Sequence, residues 1–132
     1  MRTIVLDTSF LIHVANNPLS GSDYLSEIQS YNLITIHDVV HELSSISHDR
    51  KNFIKTKKSK EAALALQYIK NIPRETVADS GTTDDKILAH AIQNHYIIAS
   101  LDRDILNQAI SNNIDSVTIE NQRLIWRLSY NQ

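Results

Sequence analysis

The chain has 132 residues, a length that suits one domain able to bury a core without staples. It contains no cysteine, which excludes disulfides, thiolate zinc clusters and a cysteine nucleophile and agrees with a reducing cytoplasm. A net charge of −2 and a pI near 6.3 give no overall pull toward nucleic acid, and the apolar start is far too short for a signal peptide, so a cytoplasmic protein with no membrane partner is expected.

In chain order, Thr3 to Leu6 predicts a first strand, ended by Asp7. The amphipathic stretch Ser22 to Tyr31 predicts a crossover helix, and Leu33 to Ile36 a second strand. Asp38 is placed to cap the next helix, which carries Val39, Val40, Glu42 and Leu43. Then come Arg50, Lys51, Lys55, Lys57, Lys58 and Lys60 with no acid after Asp49, a connecting loop that could track phosphates or simply stay solvated. Ser59 is placed to cap a helix with Ala62, Ala63, Leu66 and Ile69 on its apolar face, and Pro73 ends it. Glu75 to Ala78 is a weak strand. Gly81 turns the chain, and Thr83 is placed to cap a helix of Ile87, Leu88, Ala91 and Ile92. Tyr96 to Ser100 reads as a buried strand, followed by a helix from Asp104 to Ser111, a strand at Ser116 to Ile119 and a C-terminal helix through Leu124, Ile125, Trp126 and Leu128. Strands separated by helices predict an α/β fold over residues 1–132, with a mostly parallel sheet covered on both faces and right-handed crossovers.

In such a sheet the residues just past the carboxyl ends of the strands converge on one edge. Asp7 and Asp102 both stand there. Asp84 reaches the same edge from the first turn of a helix, and Glu42 lies one turn into another helix that starts there. Each acid has a structural alternative, as a turn or cap residue. Asp84 lies three and seven residues before Ile87 and Ala91, which puts it on the buried face, whereas Asp85 points toward solvent. Asp102 is closer to its strand than Asp104, so Asp102 is the expected ligand and Asp104 the expected cap or outer partner. Converging carboxylates raise each other's pKa unless a cation compensates them, and a divalent metal site is the economical reading.

Rival sites are weaker. His37 and His41 are four apart and His48 follows, but His37 is expected to end the strand and the sequence around them is not HExxH. Neither Ser9 nor Ser100 stands in GxSxG, and only two glycines leave no phosphate-cradling loop.

Four stretches together, LDTSFLI, VVHEL with Glu42, TDDKILAHA with Asp84 and IIASLDRDI with Asp102, resemble the PIN-domain ribonucleases in order and spacing over nearly the whole chain. KEAALALQYI and VTIENQRLIW are similar to the stand-alone archaeal type related to VapC toxins and small-subunit rRNA-processing nucleases. The resemblance implies a three-layer α/β/α sandwich around a five-stranded, mostly parallel sheet, with Mg²⁺- or Mn²⁺-dependent cleavage of RNA. It carries catalytic and metal-binding roles onto Asp7, Glu42, Asp84 and Asp102, and a supporting hydroxyl role onto Ser9. Ser100-Leu101-Asp102 departs from the family's Thr-Asn-Asp or Thr-Arg-Asp: Ser100 keeps the hydroxyl, and Leu101 removes a polar group beside the site.

Hard oxygen ligands suit Mg²⁺ or Mn²⁺, and such an ion orients a water for in-line attack on a phosphodiester. The expected function is a metal-dependent endoribonuclease, as the toxin of a toxin–antitoxin pair or an enzyme processing a ribosomal precursor. The alternatives are an RNA-binding or ribosome-assembly factor that keeps the fold with weak catalysis, which Leu101 supports, and a phosphoryl-transfer protein, which lacks Asp-x-Asp at residues 7–9. Single-stranded or structured RNA is the expected partner, gripped by Arg50, Lys51, Lys55, Lys57 and Lys58, with Arg103, Arg123 and Arg127 as further candidates. The resemblance, with the apolar groups of so small a chain, points to a homodimer.

Overall fold

The apolar run after Arg2 becomes β1 (Thr3–Leu6), whose Ile4, Val5 and Leu6 are fully buried, as in a central parallel strand covered on both faces. In the computed structural model, which describes residues 1–17, 24, 26–51, 54–78 and 80–129, β1 pairs in parallel with β2 (Asn32–Ile36) on one side and with β6 (Ile97–Ala99) on the other. Outward from β2 lies β5 (Arg74–Glu75), and outward from β6 lie β7 (Ser116–Glu120) and β8 (Arg123–Arg127). The order is therefore β5-β2-β1-β6-β7-β8, parallel except for β8. Connections leaving β1 and β2 run to one side and those reaching β6 and β7 run to the other, so β1 and β6 flank the point where the winding reverses. Right-handed crossovers then place the two sets of helices on opposite faces.

The helices bounded within the described residues are α1 (Thr8–Asn16), α2 (His37–Ser47), α3 (Lys57–Tyr68), α4 (Thr83–Asn94) and α5 (Arg103–Ser111). α1, α2 and α3 pack on one another, and α4 packs on α5 and β6. Of the expected crossover helix at Ser22 to Tyr31, Tyr24 and residues 26–28 are helical and residues 22, 23 and 25 lie outside the described residues. Tyr24 and Ile28 are buried in the core with Phe10, Leu11, Leu43, Ile69 and Ile87.

Several expectations are corrected. The sheet has six strands, not five, because Leu124, Ile125 and Trp126 form β8 and not a C-terminal helix. Their burial alternates, with Leu124 inside, Ile125 outside and Trp126 half-buried against Tyr31 at a ring separation of 5.1 Å. Asn121 and Gln122 turn the chain with φ of 50° and 61°, the backbone of a type I′ hairpin, so β7 and β8 are joined by a two-residue loop. The Arg50 to Lys60 segment is not a plain loop either: β3 (Arg50–Lys51) and β4 (Ile54–Lys55) form a small antiparallel hairpin, and α3 begins at Lys57. The third parallel strand is Arg74–Glu75, one residue upstream of the expected Glu75 to Ala78, directly after Pro73, whose carbonyl accepts from the Thr35 amide at 3.1 Å.

The helix caps shift in the same way. Thr56 caps α3, its hydroxyl accepting from the Ser59 amide at 3.1 Å, while Ser59 is buried one turn inside. α3 ends at Tyr68, before Pro73. α2 starts at His37 without a side-chain cap, and Asp38 instead pairs with Lys86 of α4 at 2.7 Å. Thr82, not Thr83, caps α4.

Arg2 and Ser129 meet at Asp115, 4% exposed, which pairs with Arg2 at 2.5 Å and accepts from the Ser129 amide at 2.7 Å. Asp115→Ala leaves both donors without this acceptor. It should lower stability by about 2 kcal/mol, seen as a lower urea midpoint with an unchanged slope. An unaltered midpoint would show that this junction adds nothing to stability.

Candidate functional site

Asp7 and Asp102 follow the two strands at the winding reversal, and each serves at once as a helix cap and as a wall of one cavity. Asp7 Oδ1 accepts from the Thr8 amide at 2.8 Å and starts α1; Asp102 Oδ1 accepts from the Asp104 amide at 2.9 Å and starts α5. Asp102 is thus the cap expected of Asp104, which is exposed in the first turn of α5 and does not line the cavity. The structural and functional readings of these aspartates are compatible, since a carboxylate has two oxygens.

The second oxygen of Asp7 is held by serines. Ser100, completely buried, donates from Oγ to Asp7 Oδ2 at 2.6 Å, and Ser9 Oγ lies 3.3 Å from both that oxygen and Ser100 Oγ. The same hydroxyls accept backbone amides, Leu101 to Ser9 at 2.9 Å and Asp102 to Ser100 at 3.0 Å. The polar group that Leu101 lacks is therefore not needed to tie this turn down: its amide does so, and its side chain packs on the core.

The cavity, about 590 Å³, is lined by Asp7, Thr8, Ser9, Ile12, Glu42, Ile46, Lys58, Glu61, Thr82, Thr83, Asp84 and Asp102. It brings together all four acids singled out in the sequence. Burial pushes the Asp7 carboxyl above its ordinary range, with Ser100, Thr8 and Ser9 opposing the rise and Asp102 adding to it. Glu42 is exposed at the cavity mouth, yet partial burial of its carboxyl and the charge of Asp7 raise it too, against the Thr83 and Thr8 side chains. Asp84 is pushed up to about 6, first by burial and then by Asp7, Asp102, Glu42 and Asp85. These groups feel one another's charge, and among the described residues the only cationic side chain in the lining is Lys58.

The adjacent acids of α4 have separate positions. Asp84 lines the cavity, whereas Asp85 closes a capping box with Thr82, accepting the Thr82 amide at 3.1 Å while its own amide donates to the Thr82 hydroxyl at 3.1 Å. Gly81 makes room for that box. Its φ is 119°, and a β-carbon there would stand 2.7 Å from Asp85 Oδ2.

Of the basic candidates, Arg50, Lys51 and Lys55 lie exposed on the hairpin and Lys57 is exposed on α3, all outside the lining. Arg103 opens α5 and faces, with Leu101 and Arg127, a separate groove of about 390 Å³ between α5 and the β7–β8 pair. Glu61 and Thr83 were missed as site residues. A sequence signal for Glu61 existed, since it stands three residues after Lys58 and one before buried Ala62. His37 proves to be the first residue of α2, so His37 and His41 do share a helix. Even so, among the described residues no three His, Asp or Glu side chains converge closely enough to enclose one ion directly. The donor set fits an ion held by one or two carboxylates and otherwise by water, as Mg²⁺ is, better than a closed cage. Among the described residues no helix is long and apolar enough to cross a membrane.

No protein-family model matches the chain, and no curated protein matches it. Among solved structures it is similar to the PIN domain endonuclease Utp24, with a TM-score of 0.68 at 18% identity over 96% of this chain and 92% of that one. The fold is PIN-like. The chain is also similar to a domain of a functionally unknown protein from Methanocaldococcus jannaschii DSM 2661, with a TM-score of 0.65 at 17% identity over 98% of this chain and 99% of that one. Within the PIN-like fold of this chain the cavity lies where β1 and β6 end, at the reversal of the sheet.

The raised Asp84 carboxyl sets a pH dependence. Its folded pKa of about 6 exceeds the ordinary 3.8, so the folded protein binds a proton that the unfolded chain has released, and stability falls as pH rises through that window. In metal-free buffer Asp84→Asn should melt above the wild type at neutral pH, with the gap closing by about pH 4. Asp85→Ala should melt below the wild type, by loss of the capping box. Equal shifts for the two variants would show that the acids are not divided as described.

Proposed function

We propose that this protein is a metal-dependent endoribonuclease, hydrolysing RNA phosphodiester bonds. The observation that carries the proposal is the convergence of Asp7, Glu42, Asp84 and Asp102 on one cavity at the winding reversal of a PIN-like sheet. Likeness to the PIN domain endonuclease Utp24 supports it, and the resemblance of the four sequence motifs supports it further.

One or two of Asp7, Glu42, Asp84 and Asp102 would hold Mg²⁺ or Mn²⁺ directly and the others through water, and the ion when bound would supply charge neutralisation for the phosphodiester and a more acidic water. The residues of the chain do the positioning. Ser9 and Ser100 fix the Asp7 carboxylate in one orientation, a preorganisation that a flexible acid would lack. Asp102 commits Oδ1 to the helix cap and keeps Oδ2 for a ligand. Asp84 and Glu42 approach from α4 and α2, which the Lys86–Asp38 pair clamps together two residues from Asp84 and one helical turn from Glu42. Because Leu101 leaves the serine network closed, the enzyme reading is favoured over a weakly active RNA-binding or ribosome-assembly factor.

The same reading makes the substrate a single-stranded or structured RNA, met in the cytoplasm as the target of a VapC-like toxin held by an antitoxin or as a ribosomal precursor, and makes the protein a homodimer. The hairpin Arg50, Lys51 and Lys55 would grip its phosphates, with Arg103 on the far flank.

Purified protein should cut single-stranded RNA internally with Mn²⁺ or Mg²⁺ and stop on chelation. Asp84→Asn should lose about 100-fold or more, while Asp85→Asn, corrected for its stability, keeps most of the rate. The metal should also raise the melting temperature of wild type more than of an Asp7→Asn, Asp102→Asn variant. Undiminished cleavage by Asp84→Asn, or an equal metal-induced rise in both proteins, would overturn the assignment of this cavity. Light scattering that reports a monomer at tens of micromolar would remove the dimer.

Each phosphate contact adds roughly −0.7 to the slope of log affinity against log salt on single strands. Replacing Arg50, Lys51 and Lys55 by Glu should flatten that slope by up to about two units. An unchanged slope would make the hairpin a bystander.

A further inference from the structure

The basic segment reads as one phosphate-tracking stretch in sequence, but the fold divides it. Arg50, Lys51 and Lys55 project from the β3–β4 hairpin, and Lys57, Lys58 and Lys60 are all exposed on α3, but of these only Lys58 lines the cavity of Asp7, Glu42, Asp84 and Asp102. We propose that Lys58 contacts the phosphate undergoing cleavage, a role inside the reaction and not one more share of surface affinity; this rests on the nuclease reading above.

The helical phase that puts Lys58 there is fixed by contacts independent of the acids. Thr56 caps α3 through the Ser59 amide, and buried Ser59 returns a hydroxyl bond to the Thr56 carbonyl at 2.8 Å. Ser59, Ala62 and Ala65 then form the buried side of α3, and Lys58 and Glu61, one turn apart, flank it on the cavity side. Asn16 of α1 donates to the Glu61 carbonyl at 3.0 Å, tying this turn to the helix whose first turn carries Ser9.

Charge chemistry supplies the second argument. A lysine whose task was to neutralise the pocket would stand in contact with one of its carboxylates, as Lys86 does with Asp38. Among the described residues Lys58 makes no ion pair within 4.0 Å, although five acids share its cavity. An ammonium that shares a cavity with carboxylates yet stands apart from them leaves space for a ligand bearing negative charge toward the lysine. A phosphodiester has that form: its negative charge is shared by two non-bridging oxygens, one of which can face Lys58. The ammonium would then oppose charge that grows on the phosphoryl oxygens during attack, so its effect belongs in the rate at saturation.

The test uses full-length protein, Mn²⁺ and a short single-stranded RNA oligonucleotide. Lys58→Gln should lower the rate at saturating RNA by about 100-fold with little change in KM, and Lys58→Arg should recover much of it. Lys70→Gln, on a lysine remote from the cavity, should match wild type. A loss confined to KM would return Lys58 to the surface grip, and recovery in a Lys58→Gln, Glu61→Gln double variant would make it a counter-ion to Glu61; either overturns the proposal. Lysine acetylation footprinting with Ca²⁺ replacing Mn²⁺ reads the contact without turnover: RNA should protect Lys58 and not Lys70, and equal labelling of Lys58 with and without RNA overturns it. Absence of cleavage by wild type together with protection of Lys58 would sink the nuclease reading while leaving the phosphate contact standing.

Discussion

The parallel register of β1 on β6 is the constraint on which the rest depends. Ile4, Val5 and Leu6 face Ile97, Ile98 and Ala99, so the two strands end level and Asp7 emerges beside Ser100. The Ser100 to Asp7 bond at 2.6 Å then seals the two strand ends, and the Asp7 amide donates to the Ala99 carbonyl at 2.9 Å as the last rung of the ladder. A shift of one residue would turn Ser100 to the opposite face and leave a buried carboxylate without its strongest donor. Register, network and cavity are one arrangement.

That arrangement works against stability. Burial and like charge raise the carboxyls of Asp7, Glu42 and Asp84 above their ordinary range, a tension that the fold retains at neutral pH. Hydrogen bonds from Ser100, Ser9 and Thr8 oppose it within the cavity, and the ion pairs of the described residues lie around it. Lys86 pairs with Asp38 between α4 and α2, Arg2 with Asp115, and His90 Nε2 with Glu75 at 2.6 Å between α4 and the edge strand β5. The acids of the cavity therefore cost the fold stability instead of adding to it.

Because one carboxylate can cap a helix with one oxygen and serve a ligand with the other, capping and site roles coincide at Asp7 and Asp102. At Asp84 and Asp85 they are split between neighbours. The split follows from helix geometry, since Asp85 at the third helical position can reach back to the Thr82 amide and Asp84 cannot.

The sequence by itself determined the alternation of strands and helices, the convergence of Asp7, Glu42, Asp84 and Asp102 and the separation of Asp84 from Asp85, because apolar periodicity and strand-end position are local properties. It also suggested the PIN-like architecture through four short motifs. It misread Leu124 to Trp126, where an apolar triplet fits a helix turn as well as a strand, and only pairing with β7 across the Asn121–Gln122 turn decides for β8. Cap positions slipped by a residue or more at Thr56, Thr82 and Asp102, since several side chains near each helix start could serve and packing selects one. Only the tertiary structure could divide the basic segment, sending Arg50, Lys51 and Lys55 to a hairpin and Lys58 with Glu61 into the cavity. Which way a charged side chain points on a short helix is set by the phase of its buried face against α1 and α2, and those partners are distant in the chain.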